Sequence, residues 1–193
     1  MKSTLRWLCS LVAVVALAGC VSTPETHADY DKSVDFAQYR SFAFFDKVGT
    51  DEADYESLIT RHLKASTRRE LEARGYRYSE SEPDLLVNFN ASVTQQTRVH
   101  SAPMPFYGGW YGYGYPGYYG FWGGYYEPYV DQYEEGTLKI DIVDARRKQL
   151  VWEGVSVGRI TDKARKDRAT AIDAAVQDMF SQFPFRAGGA TEN

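Results

Sequence analysis

The chain has very little cysteine, with two residues, Cys9 and Cys20, among 193. Both lie in the first twenty positions, so the remainder has no thiol for a disulfide, a thiolate metal site or a cysteine nucleophile. Histidine is also scarce, at three residues, and the sequence contains no GxSxG, HExxH or phosphate-binding glycine loop. We therefore expect a protein that is not an enzyme, with no catalytic residues, metal site or cofactor.

An excess of basic charge is missing as well. The 22 Lys and Arg residues are outnumbered by 26 Asp and Glu, which gives a net charge of -4. Removal of Lys2 and Arg6 with the export signal described below would bring this to about -6. Domains that bind nucleic acid usually present a positive field, so we expect no nucleic-acid partner.

Long apolar runs are limited to one segment, from Trp7 to Ala18. It is shorter than the ~20 residues that a helix needs to cross a bilayer. Lys2 and Arg6 precede it, and the small residues of Leu17-Ala18-Gly19-Cys20 follow it. A basic start, a short apolar run and a small-residue cleavage site are typical of an export signal. The sequence therefore predicts a signal peptide over residues 1–19, cut between Gly19 and Cys20.

The last four residues of this segment, LAGC, resemble the lipobox of bacterial lipoproteins. The resemblance implies that the Cys20 thiol carries a diacylglycerol and that the new amino terminus is acylated, with palmitate among the expected chains. Two or more acyl chains anchor a protein stably, so the membrane is an expected partner through Cys20. Val21 follows the cysteine in place of an aspartate, which implies the periplasmic face of the outer membrane. The alternative is a secreted protein whose cleavage site happens to lie near a cysteine.

Beyond the signal, the pattern predicts one domain between two irregular segments. Residues 20–35 are polar and aperiodic and are interpreted as a lipidated tether, residues 36–185 as a single α+β domain, and residues 186–193 as a disordered tail. The predicted elements are a strand over 39–45, a helix over 51–74 closed by Gly75, a strand from Asp84, a hairpin of strands over 138–142 and 150–160, and a helix over 162–182 ended by Pro184.

The alternation in the second strand shows how the sheet should be covered. Leu85, Val87 and Phe89 point to one face, whereas Asn88 and Asn90 point to the other. Each helix has one apolar side. The order β-α-β-β-β-α therefore predicts a two-layer α+β fold: a four-stranded antiparallel or mixed sheet with both helices on one face.

A glycine- and aromatic-rich insert, residues 103–129, separates the second and third predicted strands. Its rings offer flat apolar faces with polar edges, which suit stacking on sugars or on partner side chains, or insertion at a membrane interface. The alternative is a variable loop that lies over the sheet or stays disordered. The candidate binding surface consists of Trp110, Tyr111, Tyr113, Trp122 and Tyr125.

Several segments together resemble one family. They cover residues 29–45, 82–93 and 133–160, and the most specific parts are YEEGTL at 133–138 and LVWEG at 150–154. They are similar to the bacterial lipoproteins grouped as domain of unknown function 4136 (DUF4136). The resemblance implies an α+β domain in the cell envelope and, since the family has no assigned activity, transfers no catalytic residue.

These observations favour an outer-membrane-anchored periplasmic lipoprotein that serves as a non-enzymatic envelope interaction or assembly module. The alternative function is a glycan-binding module that holds peptidoglycan or another polysaccharide through the aromatic insert.

Overall fold

A computed structural model describes residues 24–51, 55–100 and 129–189, with the backbone alone at residues 99, 100 and 129. Six strands and three α-helices lie in these ranges. They are β1 (Glu25–Tyr30), β2 (Ser41–Phe44), α1 (Leu58–Ala73), β3 (Arg77–Tyr78), β4 (Leu85–His100), β5 (Tyr129–Asp144), β6 (Gln149–Arg159), α2 (Asp162–Lys166) and α3 (Arg168–Phe180).

The strands form one sheet in the order β1-β6-β5-β4-β2-β3. The pairs β1–β6, β6–β5 and β5–β4 are antiparallel. Strand β2 runs parallel to both of its neighbours, β4 and β3. The predicted fold class was therefore wrong: a six-stranded mixed sheet with three helices replaces the four-stranded sheet with two helices.

The first missed strand lies in the segment that we interpreted as a tether. Strand β1 pairs with β6, from Glu25 opposite Val157 to Tyr30 opposite Trp152. It is an edge strand, and its side chains are exposed or only half-buried. Backbone hydrogen bonds to β6 hold β1 in place. Its side chains therefore need not alternate between apolar and polar, and the sequence does not show the usual strand pattern.

The second missed strand, β3, has only two residues and pairs with β2.

The helix boundaries also differ from the prediction. The extra helix arises because the predicted helix over 162–182 is broken at Asp167. The Asp167 carboxylate accepts a hydrogen bond from the Thr170 amide at 3.2 Å and so caps the start of α3. Helix α1 likewise begins later than predicted, after Ser57, whose hydroxyl accepts from the Thr60 amide at 3.0 Å. Its predicted end is confirmed, since Gly75 has a φ of +88°.

The alternation in β4 and the β5–β6 hairpin are both confirmed. Leu85, Val87 and Phe89 are fully buried, and so is Trp152 of β6, whose ring centroid lies 5.3 Å from that of Phe180. The other members of this core on the helices and on β5 are Leu63, Leu71, Ile172, Val176, Met179, Ile140 and Ile142. Helices α1 and α3 therefore cover one face of the sheet and leave the other open.

Strands β4 and β5 extend past the rest of the sheet. Residues 95–100 and 129–134 pair with each other and with no other strand of the described ranges. The chain that joins the two strands, residues 101–128, lies outside the described residues.

A buried carboxylate holds the turn between β5 and β6. Asp144 Oδ1 accepts hydrogen bonds from the backbone amides of Arg146 and Arg147 at 2.9 and 2.8 Å. Its Oδ2 accepts from the Tyr39 hydroxyl at 2.8 Å and from Arg147 Nε at 3.0 Å. Burial alone would raise the pKa of Asp144, but these hydrogen bonds and the guanidinium outweigh it and lower the pKa below 3.8.

We expect Asp144→Asn to lower the free energy of unfolding by about 2 kcal/mol at pH 7, because an amide cannot accept all four hydrogen bonds. The folded-state pKa of Asp144 is depressed, so its stabilisation is present above the unfolded-state pKa and is lost as the pH falls through the folded-state value. The difference in unfolding free energy between wild type and variant should therefore become smaller below about pH 4. Urea unfolding at pH 7 and pH 3 measures it, with the exposed Asp46→Asn as control. A gap that does not change with pH would contradict this role.

Candidate functional site

The candidate site lies on the open face of the sheet, which we define as the face opposite α1 and α3. A row of polar side chains crosses four strands there. Asn88 of β4 lies opposite Asp141 of β5, and Asp141 lies opposite Glu153 of β6. Glu153 in turn lies opposite Asp29 of β1. Directly opposed residues point to the same face, so these four side chains form one continuous row.

Lys139 joins the two central acids of this row. Its ammonium lies 2.5 Å from Glu153 Oε2 and 3.3 Å from Asp141 Oδ1. Asn90 donates a hydrogen bond through Nδ2 to Asp141 Oδ2 at 3.2 Å. We call Lys139, Asp141 and Glu153 the charge cluster. It places one cation between two anions on a surface that the helices do not cover.

The pKa values in the charge cluster follow from burial and from these contacts. Burial raises the pKa of Asp141 above 3.8, and the attraction of Lys139 opposes that rise. The hydrogen bond to Glu153 raises the pKa of Lys139, which therefore stays an ammonium at neutral pH. The nearby Lys139 ammonium thus favours the ionised form of Asp141, which burial disfavours.

A depression of about 390 Å³ adjoins the charge cluster. Its apolar lining comes from Phe45, Val143 and Leu150. Its charged lining includes Lys47 and Lys148, which are exposed and form no ion pair with any described residue. Ammonium groups beside an apolar floor suit a partner that presents acidic and apolar groups together.

The loop that follows β2 forms one border of the open face. The Gly49 amide donates to Asn88 Oδ1 at 3.1 Å. A Cβ at Gly49 would lie 2.2 Å from Asn90 Oδ1 and 2.8 Å from the Phe89 carbonyl oxygen, closer than real Cβ contacts come. The close approach of this loop to β4 therefore requires glycine at this position.

Other polar groups have structural roles. Asp84 Oδ2 accepts from the amides of Arg40 and Ser41 at 2.9 and 3.1 Å. His62 does not line this depression. Over residues 24–51, 55–100 and 129–189 no three His, Cys, Asp or Glu side chains are grouped to hold a metal ion. No helix in that part of the chain is both long and apolar enough to span a bilayer.

The residues singled out from the sequence lie mostly elsewhere. Gly19 and Cys20 precede the described residues, and the five insert residues from Trp110 to Tyr125 fall in the gap after His100. Their roles stay predictions. The placement of Asn88 and Asn90 on the open face is confirmed. The charge cluster was missed, because the strand pattern shows which face a residue occupies but not which residues oppose each other.

A family model described as "Domain of unknown function (DUF4136)" matches residues 26–185. The chain belongs to the DUF4136 family. This confirms the resemblance drawn from the sequence segments, and the family has no assigned function. No curated protein matches the chain.

Solved structures similar in fold to this chain include the following two. A DUF4136 family protein from Bacteroides thetaiotaomicron is 21% identical, with a TM-score of 0.54, over 88% of this chain and 100% of that one. A PDZ domain protein from Parabacteroides distasonis is 13% identical, with a TM-score of 0.52, over 90% of this chain and 39% of that one. At these identities the likeness shows the fold alone.

We expect Lys139→Met to lower the free energy of unfolding by about 1 to 2 kcal/mol at pH 7, because it leaves Asp141 and Glu153 adjacent without a cation. The pKa of Asp141 should rise further, and a group with a raised folded-state pKa binds its proton more tightly when folded. The loss of unfolding free energy caused by Lys139→Met should therefore become smaller as the pH falls. Chemical denaturation at pH 7 and pH 4.5 measures this, with Lys47→Met as the matched control. Equal losses at both pH values would exclude the charge cluster as their cause.

Proposed function

We propose that this DUF4136 protein is a lipoprotein of the cell envelope, anchored through Cys20 to the periplasmic face of the outer membrane. In this proposal it acts as a non-enzymatic interaction or assembly module. The anchor is supported by the LAGC motif after a basic and apolar leader. The binding role rests on one observation above all: the charge cluster and its adjoining depression lie on a sheet face that the helices leave uncovered.

The open face suits a macromolecular partner better than a small substrate. Pockets for small molecules are concave and enclose most of the ligand, whereas this depression lies on the surface of a sheet. The row from Asn88 to Asp29 continues across three strand pairs, which gives a wide polar contact area. With Lys47 and Lys148 beside it, the surface fits an envelope protein that presents acidic side chains next to an apolar one.

The position of β1 limits how far this module extends from its anchor. The sheet begins at Glu25, so only five residue-to-residue steps, across residues 21–24, separate Cys20 from the fold. Fully extended, they reach at most ~18 Å. This is much less than a tether over residues 20–35 would allow, and it keeps the open face near the membrane surface.

The anchor is tested by feeding cells that express the tagged full-length chain with an alkyne analogue of palmitate. We expect the wild type to be labelled and Cys20→Ser to be unlabelled. Cys9→Ser is the matched control and should keep the label, because Cys9 lies in the segment that the signal peptidase removes. Label that persists in Cys20→Ser would contradict the anchor.

The open face is tested by in vivo crosslinking, affinity purification and mass spectrometry of the full-length chain. We expect the double variant Lys47→Glu, Lys148→Glu to lose a partner that the wild type retains, because the reversed charges repel its acidic groups. The control is Lys32→Glu with Arg77→Glu, two exposed sites outside the depression, and it should retain the partner. If the partner is lost only when residues 103–129 are deleted, the open face is excluded and the glycan or insert hypothesis is favoured.

A further inference from the structure

Strand β4 has a long stretch of backbone that the sheet leaves open on one side. Strand β2 pairs with it only from Leu85 to Val87. The loop after β2 lies against the next residues, since a Cβ on Gly49 would be 2.8 Å from the Phe89 carbonyl oxygen. Beyond that point no strand of the described ranges pairs with β4 on this side, whereas β5 pairs with it on the other side as far as His100. We call residues 91–98 the β4 edge.

The direction of the backbone groups along the β4 edge follows from the pairing with β2. The Val87 carbonyl accepts a hydrogen bond from the Phe45 amide at 3.0 Å, so Val87 directs its backbone groups away from β5. In a regular strand every second residue does the same, and β4 pairs with β5 without a register shift. The residues of the β4 edge with outward amides and carbonyls are therefore Ala91, Val93, Gln95 and Thr97.

The β4 edge lacks the features that keep exposed edges from pairing. Proteins protect such edges with charged side chains, proline, bulges or a covering element. Residues 91–97, ASVTQQT, contain no charged residue and no proline. Residues 91–95, 97 and 98 are all exposed, and Val93 is 60% exposed. This edge can therefore accept another strand without rearrangement of the sheet.

The outer strand at the other side of the sheet, β1, is protected. The Asp31 amide donates to a carbonyl of β6, so the alternate residues Thr26 and Tyr30 direct their backbone groups outwards. The Thr26 carbonyl accepts from Gln182 Nε2 at 3.0 Å, and the Tyr30 amide donates to Asp29 Oδ1 at 2.8 Å. Strand β3, at the end of the sheet beyond β2, has only two residues. Among the described strands, the long unprotected edge is that of β4.

The last part of the β4 edge belongs to the two-stranded ribbon that extends past the rest of the sheet. Residues 95–100 and 129–134 pair with each other and with no other described strand. A two-stranded ribbon is only marginally stable in water, and a third strand makes it more stable. A strand added along the β4 edge would therefore stabilise the ribbon and pair its open backbone groups at once.

We propose that the β4 edge pairs with the β4 edge of a second copy of this chain. A two-fold axis normal to the sheet makes the two identical strands antiparallel. The outward-directed residues run from Ala91 to Val99, and Gln95 is at their centre. Gln95 therefore lies opposite Gln95 of the second copy, and Val93 lies opposite Thr97.

The charges along the strand suit pairing with itself. In a two-fold contact the same surface is present on both sides, and like charges directly opposite each other are destabilising. In this register the one charged residue of the β4 edge, Arg98, lies opposite Ser92. The axis keeps the helices of both copies on the same face, so that the two open faces lie side by side and stay accessible to the proposed partner.

The first experiment measures the oligomeric state by sedimentation equilibrium. The full mature chain with Cys20→Ala is exported behind a cleavable signal, so that it carries no lipid and no thiol. We expect it to form a dimer. Gln95→Lys should weaken the dimer by about tenfold, because two ammonium groups then face each other across the axis. The matched control, Gln132→Lys, changes an exposed glutamine of β5 in the same ribbon and should leave the dimer unchanged. Thermal unfolding checks that each variant keeps the fold.

The second experiment tests the register with single cysteines in the same thiol-free chain. Gln95→Cys should form a disulfide-linked dimer on mild oxidation, because directly opposed residues have Cα atoms about 5.5 Å apart. Ser92→Cys is the matched control and should not link to itself, because residues 92 of the two copies would be about 20 Å apart along the strands. A mixture of Ser92→Cys and Arg98→Cys should form a disulfide between the two variants.

Three results would overturn the proposal. They are a wild type that stays monomeric at its highest soluble concentration, an equal loss of dimer in Gln95→Lys and Gln132→Lys, and equal disulfide formation in Gln95→Cys and Ser92→Cys. The first is also the result expected if residues 101–128 or a strand of another protein cover the β4 edge. None of these results depends on the lipid anchor or on the open face, because the protein carries no lipid and the substituted residues do not line the depression.

Discussion

The burial of one sheet face against α1 and α3 is the constraint on which the rest of the structure depends. Val87, Ile140 and Trp152 are fully buried on that face. Side chains alternate along a strand, so burying these residues sends their neighbours Asn88, Asp141 and Glu153 to the other side. The charge cluster is therefore a consequence of the core: a shift of one residue in any of the three strands would bury a charged group and expose an apolar one.

A bulge in β6 preserves this arrangement. Ile142 lies opposite Trp152 and Val143 opposite Leu150, so that Val151 is an extra residue with no counterpart on β5. The bulge lets Trp152 join Ile142 in the core while Leu150 joins Val143 beside the depression. It also keeps Glu153 opposite Asp141, within reach of Lys139. The local irregularity thus gives the open face both its apolar and its charged parts.

Strand β1 has two roles in an anchored molecule. It connects the proposed anchor to the open face, because it begins at Glu25, close to Cys20 in the chain, and contributes Asp29 to the polar row. Its pairing with β6 also holds the start of the domain at a fixed place relative to the open face.

The sequence by itself determined what depends on local chemistry: family membership, the alternation of Leu85 to Asn90, the β5–β6 hairpin and the helix end at Gly75. The tertiary structure decided the rest. Strand β1 pairs with residues more than 120 positions away, and an edge strand is held by backbone hydrogen bonds that leave no mark in side-chain type. Likewise Lys139, Asp141 and Glu153 meet only because the strand register brings them together, and register is set by the packing of the whole face.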